Sequence, residues 1–440
     1  MKNFYILKKM TLNINPKLIF SIILFCIIQN NIFSQTYNFT IYNNNNSGIG
    51  FNSVSDIKID NIGSLWLSSW FNNGGNGVTK FDGTNWNNYN TSNSGIIDNK
   101  IIDIEVDNLN RKWFGSWQNG ISKLEGTIWT NFTTSNSQLP SNTVNDISVD
   151  SSNNIWIATN QGLAKFNGVS WIIYNASNSV LTSNNIHSVF VDTTNNVWIT
   201  YSNLTNIGNN TWTDISKLAK FDGNSWSIYQ NTSQLSFSKI FGLFGGEIYL
   251  NGGYGFIKFS NNTFTQISDF DNTNCLIDCQ IEDIDIDSQN KLWLGYSQEC
   301  SNAGLQNFTN CTNYFSTNSG LPENNIFSLK IDNLNNIWIG TYSSGLVKMS
   351  LNNLGIEDVS LVNKLLIYPN PAKDIFTIKG NENLSNNFEY KIIDLAGRII
   401  KNGKSEFNEQ VNVENLKSGN YIIQIKTANG KITTEKLIKY

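Results

Sequence analysis

The 440 residues include one histidine, five prolines and three methionines, and only 15% of them are charged. The single imidazole, His187, leaves a Ser-His-Asp site one candidate base, so nucleophilic chemistry of that kind is poorly supplied. Long apolar runs are also missing. The one run present, Leu18 to Ile28, follows Lys2, Lys8, Lys9 and Lys17 and is too short to span a bilayer, so residues 1–35 read as a signal peptide. No second run follows, and no integral membrane span is expected. Basic charge is scarce in the body of the chain. Residues 36–362 carry 14 basic and 26 acidic groups. Nucleic acid is bound chiefly through cationic contacts to phosphate, so nucleic acid is not an expected partner.

Aromatics are abundant, with 13 Trp, and this composition suits half-buried pleated surfaces. The tryptophans are ordered. Trp66, Trp113, Trp156, Trp198, Trp293 and Trp338 recur in one phrase, as in "DNIGSLWLSS", "DSSNNIWIAT" and "DNLNNIWIGT". A degenerate copy, "GGEIYLN", puts Tyr249 at the Trp position. A period of 40–50 residues with several short strands per unit marks propeller blades. Each unit predicts four strands, with turns such as Asp82-Gly83 and Asn167-Gly168 before the fourth. Seven units carry the first three strands, but only six are followed by a fourth. The stretch Asn38–Gly48 aligns with Thr84–Gly95, so the N-terminal strand is expected to complete the last blade and close the ring. The predicted fold is all-β: a seven-bladed β-propeller over residues 36–350, a linker over 351–364 and a small β-sandwich over 365–440.

The recurring phrase resembles the two-component-regulator propeller repeat. The resemblance covers about residues 37–350 and implies an extracytoplasmic ligand-binding propeller. The tail carries "LLIYPNPAKDIFTI", "YKIIDLAGRII" and "LKSGNYIIQI" in order. These motifs resemble the type A sorting domain of type IX secretion cargo in Bacteroidetes. That resemblance implies the type IX machinery as a partner and a secreted or cell-surface location.

Four cysteines remain after the leader: Cys275, Cys279, Cys300 and Cys311. In an exported chain they are disulfide candidates, and three pairings stay open. Acids recur in two places. Asp56, Asp103, Asp146 and Asp283 share one position on the innermost strands, where they either ring a hard cation such as Ca²⁺ or bond local backbone. Asp60, Asp107, Asp150, Asp192, Asp287 and Asp332 share the following turn, where a carboxylate accepts backbone N–H bonds. The repeated tryptophans read as packing between blades. Aromatics that break the repeat are the ligand candidates: Trp70, Phe71, Trp117, Tyr201, Tyr254, Tyr296 and Tyr342, all expected on one loop face. No cofactor is implied. The chain reads as a non-enzymatic binding propeller for a glycan or protein ligand. The alternatives are an extracellular polysaccharide lyase or glycosidase and a structural adhesion component.

Overall fold

The computed structural model describes residues 37–351 and 366–439, apart from 71–74, 209–210, 230, 232–234, 253–254, 269–275, 278, 298–303, 371, 380–386, 395–396 and 428–431. The signal-peptide and linker readings therefore lie outside the described residues, save Leu351. The chain divides into two compact units, up to Asn352 and from Asn353.

The first unit is a β-propeller with seven four-stranded antiparallel sheets among its described residues. In blade one the strands run Asp56–Ile59, Leu65–Ser69, Gly77–Phe81 and Trp86–Tyr89, from the innermost outward. The innermost strands begin near the repeat positions read from the sequence, and neighbouring blades touch all the way round, the last against the first. Blade seven takes its outer strand from the N-terminus: Tyr37–Tyr42 pairs antiparallel with Leu346–Leu351. Phe39 fills the Trp position of that strand. A Cβ on Gly320 would stand 2.6 Å from Phe39 Cβ, just as one on Gly95 would stand 2.6 Å from Trp129 Cβ. Only glycine lets the inter-blade loop lie this close to the outer aromatic ring.

Two repeated residues hold each blade together. The Trp indole is buried between blades, and its Nε1–H donates to the turn aspartate six residues earlier, at 3.0 Å for Trp66–Asp60 and 2.9 Å for Trp113–Asp107. The other oxygen of Asp60 accepts the N–H groups of Ile62 and Ser64. Blade five departs from this scheme. It replaces the aspartate turn with Gly245-Gly246, both at positive φ, and its Tyr249 stacks on Phe256 at 5.3 Å. The insertion after Trp198 forms no separate loop: it prolongs two strands into a hairpin, Val197–Gly208 with Thr211–Phe221.

The second unit has a three-stranded and a four-stranded sheet around a core that includes Phe376, Ile378, Ile392, Ile423 and Leu437. Its motif residues have structural work. Asn370 joins Lys436 O and Ile438 N of the last strand. Asp394 accepts from Arg398 Nε at 2.8 Å across a turn at Gly397, and Tyr421 Oη donates to Lys417 O at 2.8 Å.

Candidate functional site

Six of the seven innermost strands are irregular at their start. In blade two, Ile101 and Asp103 pair with the adjacent residues Ser116 and Gly115, which leaves Ile102 as an extra residue. Such a bulge turns its side chain out of the regular pattern. The same irregularity singles out Asn145, His187, Phe241, Glu282 and Phe327. In blade one, Ser55 N joins Asp56 opposite Ser68. These seven residues, one per blade and nearly all different, line a single central cavity of about 690 Å³.

The next position forms a seam. Asp56 Oδ2 accepts the N–H of Ile104 on the following blade at 2.9 Å, and Asp103 Oδ2 accepts Ile147 N–H at 2.8 Å. Asp146 Oδ2 accepts from Val189 N and Ser188 Oγ, and Asp283 Oδ2 accepts Leu329 N–H. Each carboxylate thus satisfies a backbone donor on the free edge of the neighbouring innermost strand, an edge that no further strand covers. This is the local-bonding reading of the aspartate ring. Among the described residues no group of three or more His, Cys, Asp or Glu side chains is placed to hold a metal. Asp56, Asp103, Asp146 and Asp283 are spread round the ring, each bonded to the next blade.

The charges are unevenly met. Lys58 pairs with Glu105 at 2.5 Å, Lys239 with Asp283 at 3.4 Å and Lys330 with Asp285 at 3.2 Å. Burial, joined by the Asp146 and Asp56 carboxylates, pushes Asp103 well above the usual carboxylate range. Burial lifts Asp56 as well, and pushes Asp146 up to about 6 against the hydrogen bonds from Ser188 and Val189. The Lys239 ammonium is held upward by Asp283, Asp56 and Asp146 although its burial acts the other way. His187 Nε2 lies 2.6 Å from Ser202 Oγ.

The aromatic candidates separate. Trp70 and Trp117 come together, parallel within 6° and 6.1 Å apart, with Lys100 Nζ 4.6 Å from the Trp117 ring. Both line the cavity, and Trp117 is 40% exposed. Tyr342, 42% exposed, packs edge-on against Phe327. Tyr201 and Tyr296 are corrected: both are fully buried, Tyr201 against Leu181 and Ile186, Tyr296 with its hydroxyl on Gln306 Oε1. The reason is where the strand ends: in blades one, two, three, six and seven all five residues of the second strand are buried, the last one included. They stand three residues after their Trp, where Ser69, Ser116, Thr159 and Thr341 are equally buried, whereas Trp70, Trp117 and Tyr342 stand four after. Phe71 and Tyr254 lie outside the described residues, as do Cys275 and Cys300. Cys279 and Cys311 are both disulfide-bonded.

The bulge ring has no contiguous signal in the sequence: its residues differ from blade to blade, and only the fold brings them to one cavity.

Residues 138–161 and 320–343 match the two component regulator propeller family, and residues 366–440 match the secretion system C-terminal sorting domain. The chain is thus a β-propeller with stretches that match two-component-regulator repeats and a tail that matches a secretion sorting domain, which implies export to the cell surface or secretion. No curated protein sequence matches it. Its fold is similar to PorZ, a bacterial surface component of the type-IX secretion system of Porphyromonas gingivalis (17% identity, TM-score 0.55, 90% of this chain and 60% of that one). It is also similar to the extracellular domain assigned to hybrid two component system BT3049 from B. thetaiotaomicron (18%, 0.55, 91% and 57%). A third likeness is to virginiamycin B lyase from Staphylococcus aureus (12%, 0.52, 72% and 100%). The chain spans about 60% of the length of the first two.

Proposed function

We propose that this exported propeller is a non-enzymatic binding protein that takes a glycan or protein ligand in its central cavity, beneath the Trp70–Trp117 lip. One observation carries the reading: seven non-repeated side chains, one from each blade, converge on one cavity. A cavity of about 690 Å³ is in the range that holds a small ligand or the end of a larger one. The stacked indoles add a flat apolar surface at its rim, of the kind that anchors sugar rings or partner side chains.

A second reading, a lyase, has one observation in its favour: His187 lines the cavity, and the fold is shared with a lyase. A turnover screen on the purified protein separates the two.

The binding reading is tested with a glycan array and partner capture, comparing Trp117→Ala with Trp156→Ala. Loss of Trp117 is expected to weaken binding about tenfold, with the melting temperature unchanged. Loss of the buried Trp156 is expected to cost about 3–5 kcal/mol of stability. If Trp117→Ala unfolds the protein as readily as Trp156→Ala, the lip is core and the reading fails.

A further inference from the structure

The bulge ring is chemically lopsided. On blades five, six and seven it reads Phe241, Glu282, Phe327, so one carboxylate stands between two phenyl rings on adjacent innermost strands. All three line the same cavity. A positive charge is drawn both to the face of an aromatic ring and to a carboxylate, and the two attractions add when water is largely excluded.

Ammonium groups of the chain itself already use such surfaces here. Lys239 Nζ lies 5.4 Å from the centre of the Phe241 ring and donates to Glu282 O at 3.0 Å. At the lip, Lys100 Nζ lies 4.6 Å from Trp117 and 5.7 Å from Trp70.

The charge balance points the same way. The cavity is lined by Asp56, Asp103, Asp146, Glu282, Asp283 and Asp285, against three lysines. Each of those lysines has an acid within 3.4 Å: Glu105, Asp283 or Asp285. Among the described residues Asp56, Asp103 and Asp146 take part in no ion pair, and their Oδ2 atoms accept backbone N–H groups instead. Burial holds Asp56, Asp103 and Asp146 toward their neutral form, so this excess of negative charge grows as pH rises, and an entering anion would meet it. An entering cation would neutralise part of it.

We propose that the cavity selects an organic cation, a protonated amine carried on the ligand and seated between Phe241, Glu282 and Phe327. This rests on the central cavity being the binding site.

The test is calorimetry on the whole secreted protein, at about pH 6, with three probes. One is a tetramer of β-1,4-linked glucosamine, the second is its fully N-acetylated counterpart, and the third is tetralysine. The amine tetramer is expected to bind about tenfold more tightly than the acetylated one, a preference that Glu282→Gln removes without lowering the melting temperature and that Phe241→Leu, which keeps an apolar side chain against the neighbouring core, also removes. Equal binding of the two tetramers overturns the cation assignment and leaves a glycan ligand standing. Binding of tetralysine alone, sensitive to Glu282→Gln, keeps the cation site and overturns the glycan as ligand. Binding of none of the three overturns the cation assignment.

Discussion

In blades one, two, three and six, two aspartates look alike in the sequence and do different work. The turn aspartate is an internal clamp, bonded by its Trp and by backbone N–H groups, and in Asp60 these bonds and Lys112 hold the carboxyl below its usual range although burial acts the other way. The ring aspartate is a strut between blades: Asp56, Asp103 and Asp146 accept backbone N–H groups of the next blade, and Asp283 does so beside Lys239. Asp146 has a measurable consequence. The unfolded chain releases this proton near pH 4, whereas the folded one keeps it to about 6, so the fold binds the proton more tightly. Stability from this group is present below the unfolded value and is lost as pH rises from about 4 through about 6. The melting temperature of the wild type is therefore expected to fall across that window more steeply than that of Asp146→Asn, whose amide oxygen still accepts Val189 N–H. Equal slopes for the two proteins would show that Asp146 titrates normally.

Strand periodicity was legible in the sequence, and so was the N-terminal strand that completes blade seven. Less legible was the one-residue difference that puts Tyr201 in the core and Trp117 at the lip. Loop aromatics and strand-end aromatics share a composition, and only their count from the repeated Trp separates them. The bulges were not readable at all, because an extra residue in a strand changes no residue type. Closure is the element whose loss should be felt most. Without Tyr37–Tyr42, blade seven exposes an edge and loses the contacts of Tyr37 with Trp293 and Tyr314, and of Tyr42 with Phe81, Trp86 and Trp338. A variant lacking residues 37–42 is expected to melt at a markedly lower temperature and to associate with itself. A wild-type melting curve from a monomeric variant would count against closure as the main clasp.

At the level of the whole molecule, the sorting motifs were readable because they are turn and edge chemistry: Asn370 ties down the last strand, Asp394 and Arg398 close a turn, and Tyr421 braces another. Each demands a particular residue type at a fixed spacing. The ligand was not readable, since a cavity formed by seven distant segments has no contiguous signature. Export is the function to which the tail can be held. A chain ending at residue 352 is expected to accumulate inside the outer membrane with its propeller folded, checked by surface proteolysis of intact cells. Undiminished display of the truncated chain would refute the assignment.

The pairing of Tyr37–Tyr42 with Leu346–Leu351 also orders events in time. The strand Tyr37–Tyr42 pairs with no neighbour in sequence, and it waits until nearly the whole propeller has followed it. Six blades can assemble from neighbouring stretches, while the seventh requires both ends of the segment at once. Joining ends so far apart in sequence carries the largest loop-closure cost among the described strand pairs. The ring is therefore also a completeness check: a chain cut short by an interrupted ribosome or a protease can build blades but has no means of fastening them.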